Sequence, residues 1–164
     1  MLSSNEFVEA VRLRLDTAGP PDPVPCAICG KLLDSGGAHA SCCAGAEATR
    51  GHYAVAKQIH NAACVCDPSA ETEVLGLIPG TDLRPADVLT TALGNGMTSI
   101  DVCICSPYAQ NAGDDCTETM FNRKLSHYSA HLEVLSKQNI EYLPLIWSSF
   151  GRPHARTVSV LRSQ

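Results

Sequence analysis

Residues 83–107 read LRPADVLTTALGNGMTSIDVCICSP, and the fold turns on this stretch. Two short apolar runs, one around Val88 and Leu89 and one around Val102 and Ile104, flank a turn containing Gly94 and Gly96, which is the pattern of a β-hairpin. One carboxylate opens each run, Asp87 in the first and Asp101 in the second. Pairing the runs brings the two acids to adjacent strands near one end of a sheet. Alternation then sets Asp101, Cys103 and Cys105 on one strand face and Val102 and Ile104 on the other.

Downstream, residues 117–138 (TETMFNRKLSHYSAHLEVLSKQ) carry Met120 or Phe121, Leu125, Tyr128, Leu132 and Leu135 at helical spacing, with Asp114 and Asp115 as an N-terminal signal. Lys124 and Tyr128 stand four apart and share a helix face. Alone, Lys124 reads as a solvated lysine. Beside two carboxylates it completes a set suited to metal-dependent phosphodiester hydrolysis: the acids hold a hard divalent cation, and the ammonium orients the attacking water and balances charge. IEYLPLIWSSFG follows as a mostly apolar strand, and the tail RPHARTVSVLRSQ adds basic residues.

Upstream, ETEVLGLIPG predicts a strand from Glu73 to Ile78, stopped by Pro79 and Gly80. Glu73 is a candidate third carboxylate of the metal site, against the plainer reading of an edge-strand acid facing water. Residues 44–63 predict an Ala-rich helix with Tyr53, Ala56 and Ile59 or His60 along one side. Arg50 and His52 on its first turns are either a solvated face or contacts to a bound phosphate. Cys64 and Cys66 read as thiols without a metal.

CAICGKLLDSGGAHASCC (residues 26–43) contains a C-x2-C knuckle, Cys26 and Cys29, followed by Gly30, His39 and the pair Cys42 and Cys43. The tight turn lets two thiolates reach one ion, and tetrahedral Zn²⁺ takes four such ligands. Cys26, Cys29, His39 and Cys43 are the expected set, with Cys42 as the alternative closing thiolate. The competing reading is a compact loop of free cysteines. Further upstream, residues 3–15 place Phe7, Val8, Val11 and Leu15 on one face of an amphipathic helix, and TAGPPDPVP breaks it into an extended linker. The expected divisions are residues 1–25 for helix and linker, 26–43 for the knuckle, and 44–164 for an α/β domain.

The 164 residues suffice for a real core, and 45% hydrophobic content with no span-length apolar run predicts no membrane partner. No secretory signal is read at the N-terminus, so the nine cysteines are expected as thiols or metal ligands in an intracellular setting. The net charge of −5 weighs against a free-standing nucleic-acid binder, whose affinity comes largely from Lys and Arg on phosphates. Carboxylates that take up cations offset part of that charge.

The element order helix, three strands, helix, strand is that of the PD-(D/E)XK nucleases. The knuckle, the Arg50-x-His52 helix, Arg84-Pro85-Ala86-Asp87, Asp101 with Ser106-Pro107, and Lys124-x3-Tyr128 together resemble the restriction-enzyme-like endonuclease region of non-LTR retrotransposon polyproteins, over roughly residues 26–150. The resemblance implies an αβββαβ restriction-endonuclease-like core behind a small zinc knuckle. It implies a Mg²⁺- or Mn²⁺-dependent DNA endonuclease that nicks target DNA. Carried over by position, Asp87 and Asp101 are metal ligands, Lys124 is the catalytic lysine moved from strand to helix, Tyr128 is its companion, and Arg50, His52 and Arg84 lie toward nucleic acid. DNA, with RNA and the remainder of a reverse-transcriptase polyprotein, are the implied partners, in the nucleus. Two departures stand out: Ala86 separates Pro85 from Asp87, and Cys103 occupies the place of the usual D-x-K lysine. The rival from another class is a non-catalytic zinc-binding module for nucleic acid or protein; a more distant one is a thiol protein using Cys64, Cys66, Cys103 and Cys105.

Overall fold

The computed structural model describes residues 24–33, 38, 39, 43 and 46–162 except 95, isolated positions 8, 11, 12 and 15, and only the backbone of 46–50. Most of the helix expected over residues 3–15, of which Val8, Val11 and Arg12 are described and helical, most of the linker after it, and Cys42 lie outside the described residues. The chain runs α1 (Ala46–Cys66), β1 (Glu71–Val74), β2 (Ala86–Thr90), β3 (Met97–Cys105), α2 (Cys116–Tyr128), a 3₁₀ turn (Ser129–His131), α3 (Leu132–Lys137), β4 (Ile140–Ser148) and α4 (Ala155–Arg162). The strands form one mixed sheet in the order β1-β2-β3-β4. The first three are antiparallel neighbours, and β4 returns parallel to β3 through the α2–α3 crossover. This is an α/β fold with helices on both faces of the sheet.

Strand alternation divides the core. Val88, Ile100, Val102, Leu143 and Leu145 pack with Ala56 and Ala63 of α1 and Val160 of α4. Leu89, Ile140 and Tyr142 face Tyr128 and Leu135 on the other side, and Cys105 and Ile146 face Cys116 and Ala112 there. Ile100, Val102, Leu145 and Ile146 are almost wholly buried, and each such side chain stabilises the fold by about 1.5–3 kcal/mol relative to exposure. Alanine at two buried α1 positions lets the helix lie close over the sheet.

Pro144 sits inside β4, where a proline is tolerated because the strand is an edge. Two residues on, Ile146 sends its N–H outward to Thr157 Oγ1 at 2.9 Å, so the N–H that Pro144 lacks belongs to the same outer side. Residues 152–157 cover that edge, with His154 N–H on the Ile146 carbonyl and Ser148 N–H on the Arg152 carbonyl.

The other end of α1 is tied to β2. Asp67, buried just beyond the helix, accepts from Ser69 N–H and Oγ, Thr90 Oγ1 and Thr91 N–H. These four donors hold its carboxyl far below the usual carboxylate range, Ser69 contributing most.

Three local expectations are corrected. The strand placed at Glu73–Ile78 is Glu71–Val74; Gly76, at φ +76°, turns the chain so that Leu77 and Ile78 enter the core instead of the sheet. The single helix over 117–138 breaks after Tyr128 into a 3₁₀ turn and the short α3, where Ser129 Oγ bonds back to the Ser126 carbonyl. The tail, read only for its charge, contains α4, which buries Thr157 and Val160. At the hairpin tip, a Cβ on Gly96 would lie 3.2–3.4 Å from Asn139 atoms, and Asn139 itself takes φ +58° at the start of β4.

Candidate functional site

Register assembles the acids. Thr72 pairs with Val88 and Val74 with Ala86, which sets Glu73 opposite Asp87. Val88 pairs with Ile100, so one step further Asp87 stands opposite Asp101, and Asp101 pairs with Pro144. Glu73, Asp87 and Asp101 therefore form a row by level across three strands, with Asp87 and Asp101 one step past the end of the β2–β3 ladder. Asp87 is placed by its contacts to His52 of α1 and Val102 N–H, whereas Asp101 faces Lys124 of α2. The β2–β3 ladder stops at Val88, and Val102 N–H donates instead to Asp87 Oδ2 at 2.7 Å.

The outer part of the row gathers an imidazole. His52 Nε2 lies 3.3 Å from Asp87 Oδ1, and ligand atoms of His52, Glu73 and Asp87 all fall within 4.8 Å of one another. Asp87 raises the His52 pKa against the opposing effect of burial, and Asp101 and Glu73 add to the rise. Glu73 adopts φ +53°, a strained conformation for a residue in a strand, and Arg84 stands at 4.0 Å from its Oε2. His52, which the sequence directs toward nucleic acid, thus lies among the acids.

The inner part is differently built. Asp101 is buried, and both its oxygens are engaged: Oδ1 accepts from Lys124 Nζ at 2.8 Å and Oδ2 from Tyr142 Oη at 2.5 Å. Burial pushes its carboxyl up from the ordinary value, with Lys124 and Tyr142 acting in opposition. Burial acts to lower Lys124, but the Asp101 charge outweighs it and the ammonium is held above its usual value. Tyr142 is shifted far up by burial and by the Asp101 charge, and remains a neutral donor. Cys103, on the same face as Asp101, is raised by burial and is a neutral thiol beside Lys124.

Tyr128 donates to the Arg84 carbonyl at 3.0 Å and packs on Tyr142 with ring centroids 4.7 Å apart. Its hydroxyl thus fixes the segment before Asp87. Arg84 is exposed beside Glu73. Arg50 is a helical position of α1 whose side chain lies outside the described part. Sequence reasoning missed Tyr142; its parity with Pro144, the register partner of Asp101, is the signal that places it on the acid face once register is known.

The second cluster is the knuckle. Cys26 N–H donates to Lys31 O and Leu33 N–H to Val24 O, closing a tight hairpin in which Gly30 takes φ +73°. Cys43 N–H donates to His39 O at 2.8 Å. Ligand atoms of Cys26, Cys29, His39 and Cys43 lie within 4.8 Å of one another, with Cys29 Sγ 3.1 Å from His39 Nε2 and Cys26 Sγ 3.7 Å from Cys43 Sγ. These four residues can hold a metal ion. Backbone N–H groups of Cys29 and Ile28, together with His39, bring Cys26 down to about 6, whereas burial and the neighbouring thiols push Cys43 up to about 11. Among the described residues no helix is long and apolar enough to cross a membrane.

Comparison with protein-family models, with curated proteins and with solved structures found no match to this chain.

Proposed function

We propose that the chain is a divalent-metal-dependent DNA endonuclease domain of PD-(D/E)XK type, of the retrotransposon restriction-like kind, with a zinc knuckle at residues 26–43. The observation that carries this reading is the row Glu73, Asp87, Asp101 across β1–β3 with Lys124 closing its inner end, in an αβββαβ chain order. Carboxylate oxygens of Glu73 and Asp87 at the outer part of the row lie within 4.8 Å of each other, close enough to share a bound Mg²⁺ or Mn²⁺. When present, such an ion polarises a phosphodiester oxygen and lowers the pKa of its water. Lys124, kept charged by Asp101, holds the attacking water or the oxygen that gains negative charge. Tyr142 keeps Asp101 turned toward the lysine, and Tyr128 holds the chain before Asp87. At the knuckle, three thiols and an imidazole suit Zn²⁺ by softness and number.

The test is nicking of supercoiled plasmid by zinc-loaded protein. Conversion to open circles in Mg²⁺ or Mn²⁺ and none in EDTA supports the reading; equal rates in EDTA sink it. A second reading, a non-catalytic zinc module for nucleic acid or protein, draws on the net charge of −5. It expects no divalent ion beyond the structural zinc, so a Mn²⁺ titration of zinc-saturated protein separates the two.

A further inference from the structure

We propose that His52, Glu73 and Asp87 form a mixed nitrogen–oxygen site for a first-row transition cation of the Mn²⁺ class, and that Asp101 is a lysine-holding residue outside it. This deepens the endonuclease reading and rests on its divalent-cation site, replacing the all-oxygen pair Asp87 and Asp101 by a set that includes an imidazole. Three lines of geometry converge on it.

The first is spacing. Two donors about 2.1 Å from one ion at a right angle are about 3.0 Å apart, and opposite donors are about 4.2 Å apart. The 3.3 Å between His52 Nε2 and Asp87 Oδ1, and the 4.8 Å limit over all three donors, lie within small side-chain adjustments of those values. The second is occupancy of lone pairs. Asp87 Oδ1 faces His52 Nε2 at 3.3 Å, and Glu73 is half exposed with Arg84 at a loose 4.0 Å. Asp101 has an ammonium on one oxygen and a phenol on the other. A cation on Asp101 would stand beside the Lys124 charge in a buried setting, where repulsion is poorly screened. The third is provenance. His52 comes from α1, Glu73 from β1 and Asp87 from β2, so the three ligands approach from separate elements and leave coordination positions for water or substrate oxygen.

Donor chemistry then sets the ion. Imidazole suits Fe²⁺, Ni²⁺, Cu²⁺ and Zn²⁺; Mn²⁺, the weakest of the first-row series, keeps a preference for the two carboxylates while accepting one nitrogen, whereas Mg²⁺ keeps oxygen ligands and its waters. The site is expected to discriminate against Mg²⁺ and Ca²⁺.

The experiment uses the full chain with its knuckle saturated by zinc and Mn²⁺ as the probe. Electron spin-echo spectroscopy reads nitrogen coupled to the bound Mn²⁺, and titration calorimetry reads affinity. The expected result is imidazole nitrogen coupling, Mn²⁺ bound at least about tenfold tighter than Mg²⁺, loss of the coupling with at least about tenfold weaker Mn²⁺ in His52→Ala, and affinity within about twofold of wild type in Asp101→Asn. Thermal melts of His52→Ala check that the fold persists; if it does not, His52→Gln, which keeps a polar side chain without the imidazole, gives the same reading. Absence of nitrogen coupling, or loss of Mn²⁺ in Asp101→Asn but not in His52→Ala, overturns the proposal. Coupling present with no nicking leaves the site standing and removes the endonuclease reading; nicking that is driven by Mg²⁺ and indifferent to His52→Ala does the reverse.

Discussion

The two ligand clusters are built by opposite routes. Cys26, Cys29, His39 and Cys43 come from eighteen consecutive positions, brought together by short-range hydrogen bonds in a hairpin and between Cys43 and His39. His52, Glu73 and Asp87 come from a helix and two strands and meet only because β1, β2 and α1 are packed in one arrangement. A local cluster has little core of its own, so its metal is expected to supply much of its folding energy. An assembled cluster is held by the sheet, so its metal is expected to contribute function and little of the fold.

The largest expected effect breaks or confirms that contrast. Cys29→Ser should take zinc content from one per chain to near none and release residues 26–43 to fast amide exchange, while exchange in β2 and β3 stays as slow as in wild type. If the strands lose protection too, the knuckle is not an independent unit. Mass-spectrometric hydrogen exchange reads both regions in one run.

Next comes Asp87→Asn at the assembled cluster. It keeps the size of the side chain, and an amide oxygen still accepts from Val102 N–H, so the melting temperature should move little. Metal-dependent nicking should fall by about 100-fold or more, in line with loss of a charge placed for the transition state. A variant as active as wild type would remove Asp87 from the site.

A smaller effect is expected inside the row. Lys124→Met leaves Asp101 without its cation, and unpaired buried charge should cost about 2 kcal/mol at pH 7, less than for a fully buried pair because Lys124 is partly exposed. The carboxyl of Asp101 is already above its usual value through burial, and losing Lys124 raises it further. A folded-state pKa above the unfolded value near 3.9 means the native state holds the proton more tightly. Stabilisation by that proton is then complete below about pH 4 and is lost as pH rises through the folded value. The deficit against wild type should therefore be smaller at pH 5 than at pH 8 in urea melts; an equal deficit at both would show that Asp101 does not take up the proton.

The smallest is Tyr128→Phe, expected to cost about 1–2 kcal/mol by leaving the Arg84 carbonyl without its donor. Its Mn²⁺ affinity should stay near wild type, which separates holding the chain from touching the ion.

What could be read from the sequence follows the same division. The knuckle was legible because its ligands lie close along the chain, at spacings that a sequence displays directly. The hairpin was legible from its two apolar runs and the glycine-containing turn between them. The four-residue spacing puts Lys124 and Tyr128 on one helix face, but which strand residue that face meets, Asp101 in the case of Lys124, depends on packing. The membership of His52 was not legible, because the angle at which α1 crosses the sheet depends on Ala56 and Ala63 meeting Val88 and Val102, a matter of packing rather than period. Tyr142 was invisible until the parallel register of β3 and β4 was known. The break after Tyr128 and the early end of β1 depend on where Leu77, Ile78 and Leu135 find space in the core.

Asp67 gives α1 the mechanics of a lever. Its bonds from Thr90 Oγ1 and Thr91 N–H pin the helix end to the far end of β2, and His52 lies fifteen positions back, about 22 Å away at a rise of 1.5 Å per residue. A tilt of about 5° at that pivot would swing the imidazole by about 2 Å, the whole length of a metal–nitrogen bond. A carboxylate outside the proposed cation site thus sets the aim of the imidazole within it.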